Sequence, residues 1–257
     1  MRIRSMAQLQ GVAILLLGMA ALTAAAQAQP PGVDTGSFAV AQHGHNVGTA
    51  SYRLTATRTG YASTSVVQVA LQGLDYALSK TEQLAPSSEL KHALVSAVVN
   101  GEAVNVVAAP DATQFLLNIS ANGRSSTARL AAHSGAVLLP DFDPGALETL
   151  LRLAAERDNR NLWAILPKNS GSIAAVQLAT YPDLQGTLNG KAIVVHHLQA
   201  TIANAQTDLF TSPRNHLLQA ELPQEGFALV RQGFVLKPPS KPIAPPPSAT
   251  GQPDSAQ

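Results

Sequence analysis

Between Ser37 and Arg129 apolar and polar positions alternate almost without interruption. Tyr52, Leu54 and Ala56 are interleaved with Ser51, Arg53, Thr55 and Thr57, and Phe115, Leu117 and Ile119 with Gln114, Asn118 and Ser120. A period of two places one set on each face of a strand, so the segment predicts strands that are apolar on one side. Asn100-Gly101, Asn122-Gly123 and Asn189-Gly190 each separate two such runs, and Asn-Gly suits a two-residue hairpin whose central residues both need positive φ. The pattern resumes at Leu162–Leu166, Ile173–Tyr181, Lys191–Ile202, Asn215–Leu222 and Phe227–Leu236. The fold class this predicts is mainly β, a long antiparallel meander. A one-sided sheet of about a dozen strands does not stay flat, so the meander is expected to curl into a half-open or closed barrel or roll.

The period changes once, between Leu138 and Asn161. Leu147, Leu150, Leu151 and Ala154 recur at helical spacing, and Glu148, Arg152 and Glu156 form an opposed row of charges with Glu148 four residues before Arg152. Asp143 suits the N-cap and Pro144 the first helical position, where a missing N–H costs nothing. Phe142 and Leu147 have the spacing of a hydrophobic staple. A helix this short, about 143–157, is marginal alone and is expected to pack its leucines on the concave face of the sheet. On that reading Leu150→Ala or Leu151→Ala costs about 2–5 kcal/mol, and Glu148→Ala under about 1 kcal/mol, as for a surface residue.

Composition narrows the setting. Arg2 and Arg4 precede an apolar run from Val12 to Leu22 that closes on Ala26-Gln27-Ala28, the form of a leader cleaved after residue 28. Its apolar run is nearer a dozen residues than the ~20 of a membrane span, and no later stretch is long and apolar enough to cross. The expected location is periplasmic or secreted. Cysteine is absent, which removes disulfides, thiol chemistry and a lipid-modified anchor. With 17 basic and 16 acidic side chains there is no charge field for nucleic acid or acidic lipid. The chain divides into a leader (1–28), a lead-in (29–36), one β-rich domain (37–236) and a tail (237–257). The tail, KPPSKPIAPPPSATGQPDSAQ, is too rich in proline to fold and is expected to be disordered, available to an envelope protein.

Candidate chemistry is sparse. Asp34-Thr35-Gly36-Ser37 matches the signature of aspartic proteases, in which two aspartates share a proton. It lies only about five residues after the expected cleavage point and has no second copy, so it reads as a polar lead-in. His43 and His45 are spaced for one side of a strand, a geometry that metal sites use, but Gly44 and the neighbouring residues favour a turn. His196 and His197 are adjacent in a strand and face opposite sides. Asp141, Asp143 and Glu148 cluster at the helix start, where carboxylates are stabilised by the helix dipole. Asn118-Ile119-Ser120 fits a glycosylation acceptor but lies in a strand. No phosphate loop, G-x-S-x-G elbow or H-E-x-x-H helix occurs. The expectation is therefore no catalytic residue, no metal ligand and no cofactor.

With its leader, meander, covering helix and Gly44-x-x-x-Gly48-x-x-x-Tyr52 in the first hairpin, the chain resembles β-rich exported bacterial domains of unknown function. In architecture it is also similar to periplasmic lipoprotein carriers, whose half-open barrels hold acyl chains under helices. That resemblance implies an apolar ligand, a lipid or acyl chain, lined by Val67, Val69, Leu71, Phe115, Leu117, Ile119, Leu147, Leu150, Leu151, Ile193 and Val195. The alternative is a non-catalytic scaffold with a filled core that presents its polar face and tail to a partner.

Overall fold

The structure is a computed structural model that describes residues 32–168 and 170–238; the expected leader and the tail beyond Pro238 lie outside the described residues. In chain order the first half holds β1 (Val33–Gln42), β2 (His45–Thr57), β3 (Gly60–Leu71), β4 (Leu74–Leu84), β5 (Leu90–Val99), β6 (Glu102–Asp111), β7 (Gln114–Ala121) and β8 (Arg124–Ala131). Then come β9 (Ala136–Leu138), α1 (Pro144–Glu156), β10 (Leu162–Leu166), β11 (Ser172–Leu188) and β12 (Lys191–Ile202). The last strands are β13 (Ala205–Thr211), β14 (Leu217–Leu222), β15 (Phe227–Arg231) and β16 (Phe234–Leu236). No helix among the described residues is long and apolar enough to cross a membrane.

The three Asn-Gly pairs join β5 to β6, β7 to β8 and β11 to β12, with φ of 51°, 52° and 50° at the asparagines and 84°, 70° and 76° at the glycines. Boundaries depart from expectation where other residues do the same work. Ala203-Asn204 turns the chain with φ of 48° and 69°, and so starts β13 without the glycine that marks such turns in sequence. β11 continues through Pro182 because its register shifts between Tyr181 and Leu184, and proline is tolerated at such irregularities. β1 begins at Val33 and takes Asp34 into the sheet.

All sixteen strands belong to one sheet, ordered β8 to β1, then β15 back to β9, with β16 pairing off the path with β11. β1 runs antiparallel to β15, Phe38 opposite Arg231. The ends of the domain therefore meet at the centre of the sheet and its middle forms the two edges. Two expectations are corrected here. The sheet stays open, with β8 and β9 as edges, so no closed barrel or roll forms. One pair, β9 with β10, is parallel, because α1 serves as the crossover that parallel neighbours require.

The sheet need not close because other elements cover its apolar surface. α1 lies against β2, β3, β9, β10 and β14, and β9 lies against β5. These contacts gather Phe38, Val67, Leu117, Leu150, Leu153, Ile165, Leu209 and Leu229 into one core. On the opposite face Leu184, Val195, Phe210 and Leu218 pack with Phe234 of β16.

α1 is enclosed on nearly all sides. Besides its leucines it buries Glu148 and Thr149, at 6% and 1% exposure, so the expected solvent-facing row of charges is split. Arg152 pairs with Glu156 at 3.6 Å and lies over the Tyr61 ring, while Glu148 turns inward. At the helix start the backbone rests directly on β2 and β3. A methyl group on Gly145 would overlap Ser65 Oγ and stand 3.1 Å from Tyr52 Cβ. Glycine to alanine in a helix interior ordinarily gains up to about 1 kcal/mol. Here Gly145→Ala is expected to lose about 1–3 kcal/mol, the cost of overpacking, as read by denaturant titration.

Candidate functional site

Two polar clusters flank α1, one built on its N-cap Asp143 and the other on Glu148. The first is fully buried. β4 points Tyr76, Leu78, Lys80, Glu82 and Leu84 inward by simple alternation, so two of its charged side chains face the helix N-terminus. Lys80 Nζ lies 2.7 Å from Asp143 Oδ2 and 3.4 Å from Glu82 Oε2, with all three side chains at 0% exposure. Asp143 Oδ1 meanwhile accepts from the N–H groups of Gly145 and Ala146, at 2.8 and 3.2 Å. One carboxylate thus caps the helix, as expected, and also neutralises a buried lysine. Burial alone lowers the affinity of Lys80 for its proton, but the charges of Asp143 and Glu82 outweigh it and hold the ammonium above its ordinary pKa. Burial raises the Glu82 carboxyl against the pull of Lys80. Ser63 and Ser65, opposite Glu82 and Lys80 in register, bury hydroxyls that have no hydrogen-bond partner in the protein.

The second cluster is half open to solvent and joins three separate elements. β1 supplies Asp34, α1 supplies Glu148, and the turn before β14 supplies His216. His216 Nδ1 lies 2.7 Å from Glu148 Oε1 and 3.2 Å from Asp34 Oδ2. Glu148 Oε2 accepts the backbone N–H of Leu217 at 2.8 Å. Side-chain exposure falls from 42% at His216 to 27% at Asp34 and 7% at Glu148, so the site has a floor and an open side.

Local sequence explains each position. Gly36 faces Tyr52 across the β1–β2 pair, and a methyl there would overlap the Tyr52 ring. The ring can therefore lie over the strand, and its hydroxyl donates to Asp34 Oδ2 at 3.1 Å. Ser212 Oγ accepts from the N–H groups of Arg214 and His216, at 3.3 and 3.2 Å, folding the turn that aims the imidazole at α1. Arg231 donates to the carbonyls of Leu217, at 3.0 Å, and Thr35, at 2.6 Å, tying together the backbones beside His216 and Asp34.

The electrostatics follow. Hydrogen bonds donated by the His216 imidazole to Asp34 and then to Glu148 outweigh burial and push His216 up to about 10. Burial would raise Asp34, but its bond and charge interaction with His216, aided by Tyr52, bring it below its ordinary value. Burial, then Glu148 and Asp34, drive Tyr52 well above the usual phenol range, so it remains a donor. The arrangement is a carboxylate pair that recruits a positive charge. Asp34 Oδ2, one Glu148 oxygen and His216 Nδ1 lie within 4.8 Å of one another, a span that one bound cation can bridge.

This cluster gives a stability profile with a definite sign. His216 binds its proton more tightly folded than unfolded, so its contribution is full below about 6.5 and lost as pH rises through about 10. Asp34 is lowered from 3.8, so its contribution is present above that value and lost as pH falls through its depressed one. In chelator-treated protein, unfolding free energy is expected to decline from pH 7 to pH 10, and His216→Gln to flatten that decline. Urea titrations at the two pH values test this.

The other residues weighed in sequence lie apart from this cluster. His43 sits in the β1–β2 turn with φ of 48°, its ring against Gly226, and His45 opens β2. His196 pairs with Asp183 at 2.8 Å, whereas His197 pairs with Asp208 at 3.1 Å and stacks between Tyr181 and Phe210. Asp141 is half-buried and pairs with Lys168 at 2.9 Å. Of the residues expected to line one apolar face, Val67, Val69, Phe115, Leu117, Leu147, Leu150 and Leu151 share the main core, with Leu71 and Ile119 packed against it. Ile193 and Val195 belong to the cluster on the opposite face, because odd-numbered residues of β12 point away from α1. Asp34, expected in a polar lead-in before the first strand, lies within β1, and the carboxylate grouped with it is that of Glu148. No family model, curated protein or solved structure matches this chain.

Proposed function

We propose that the chain is a non-catalytic binding scaffold with a filled core, exported and presenting the outer face of its sheet to a partner. The observation that carries this reading is the packing of the main core. Val67, Leu117 and Leu150, which the carrier reading places along a ligand space, are 0–1% exposed and belong to one continuous cluster with α1. Such packing favours a core filled by side chains over one that encloses an acyl chain, and the Asp143–Lys80 pair ties the start of α1 to it.

Two grooves among the described residues lie on the outer face of the sheet. One, of about 370 Å³, crosses the outer face of β3 to β6 past Ser79, Val98 and Asn105. Another, of about 320 Å³, continues from it over β1 and β2 past Ser37 and Thr49, the two sharing Val66 and Gln68. Their outward side chains are hydroxyls, amides and small apolar groups without charge, which suits a neutral, hydrogen-bonding partner surface. Protein purified from its own cells tests the reading by native mass spectrometry and organic extraction. A chain free of apolar ligand is expected; a lipid or acyl chain in one-to-one ratio restores the carrier. The same preparation tests export, for which an N-terminus at Gln29 is expected and intact Met1 in a membrane fraction is contrary.

A further inference from the structure

The cluster of Asp34, Glu148 and His216 goes beyond a scaffold's needs. A structural ion pair requires one acid and one base, whereas here two carboxylates from different elements converge on one imidazole nitrogen. Each donor is also held in place. Glu148 has one oxygen fixed by the Leu217 N–H, leaving the other directed at the imidazole. Asp34 is oriented by the Tyr52 hydroxyl, and outer contacts of this kind fix ligand geometry in metal centres. Two carboxylates and one imidazole nitrogen thus converge within 4.8 Å, close enough for one divalent ion to touch all three.

We propose that Asp34, Glu148 and His216 form a three-ligand site for a divalent first-row transition ion, with zinc the best match. One imidazole nitrogen and two carboxylate oxygens are among zinc's usual donors, and three protein ligands with a further position open to water is the arrangement of zinc sites that stay accessible. The exposed side of His216 supplies that opening. The imidazole selects against calcium and magnesium, which take oxygen ligands.

The test uses untagged full chain, stripped with a chelator and titrated with zinc against a chromophoric competitor, with calcium as the control ion. One zinc per chain and no competition by calcium are expected. His216→Gln and the near-isosteric Asp34→Asn are each expected to weaken zinc binding by more than the roughly 100-fold upper range for outer-contact losses, and Tyr52→Phe by about 10-fold. Circular dichroism confirms that each variant is folded, and Asp34→Asn serves if His216→Gln is not. Failure of the wild-type chain to take up zinc overturns the proposal. So does undiminished binding in both ligand variants, which assigns the ion to other histidines. These outcomes are independent of whether the core holds a lipid.

Discussion

Replacing Lys80 by methionine is expected to lower the unfolding free energy by about 3–5 kcal/mol, the cost of removing one partner from a buried pair. The side chain is 0% exposed and its ammonium lies 2.7 Å from Asp143. Methionine fills a similar volume, so the loss comes from stranding the Asp143 carboxylate in the core beside Glu82, which is also fully buried. An exposed pair of the same length contributes only about 0–1 kcal/mol, so burial decides the size. The double variant Lys80→Met, Asp143→Asn removes both charges and keeps a capping oxygen. It is expected to be more stable than the sum of the single losses. Urea titration of the four proteins gives the coupling.

Leu150→Ala is expected to cost about 2–5 kcal/mol, as for a buried leucine that leaves a cavity. Leu150 is 1% exposed within the main core. Its neighbour Glu148 does not behave as the charge pattern suggests. Glu148→Ala leaves the Leu217 N–H without its acceptor and frees His216, so a loss of about 1–3 kcal/mol is expected instead of under about 1. The same titrations separate the cases: Glu148→Ala indistinguishable from wild type places that side chain in solvent.

What was legible in the sequence was whatever depends on local periodicity. The alternation around Tyr52 and Phe115 gives strands, three Asn-Gly pairs give three hairpins, and Asp143-Pro144 marks the start of α1 within one residue of its place. The pairing of β1 with β15 was not legible, since it joins residues almost two hundred positions apart with no periodic signal. That pairing brings Arg231 beside Thr35 and His216 beside Asp34, so the half-open cluster could not be read without it. The burial of Glu148 is not legible either, because helical periodicity shows only which residues share a face. It does not show that β14 also lies against α1 and meets Glu148 through His216 and the Leu217 N–H. Lys80 did leave a trace: it and Glu82 occupy inward positions between Leu78 and Leu84, where a charge needs a buried partner. Asp143 was visible as a cap, and its second role followed only from the fold.

Backbone hydrogen exchange of α1 tests most directly whether the helix is part of a filled core or a lid over a ligand space. The expected result is that the amides of Leu150 to Ala154 exchange as slowly as those of Val67 and Val69 in β3, because α1 and the sheet open only when the domain unfolds. Fast exchange in α1 while β3 stays protected would show a helix that lifts on its own, and would contradict both the polar clasp at Lys80 and the filled interior.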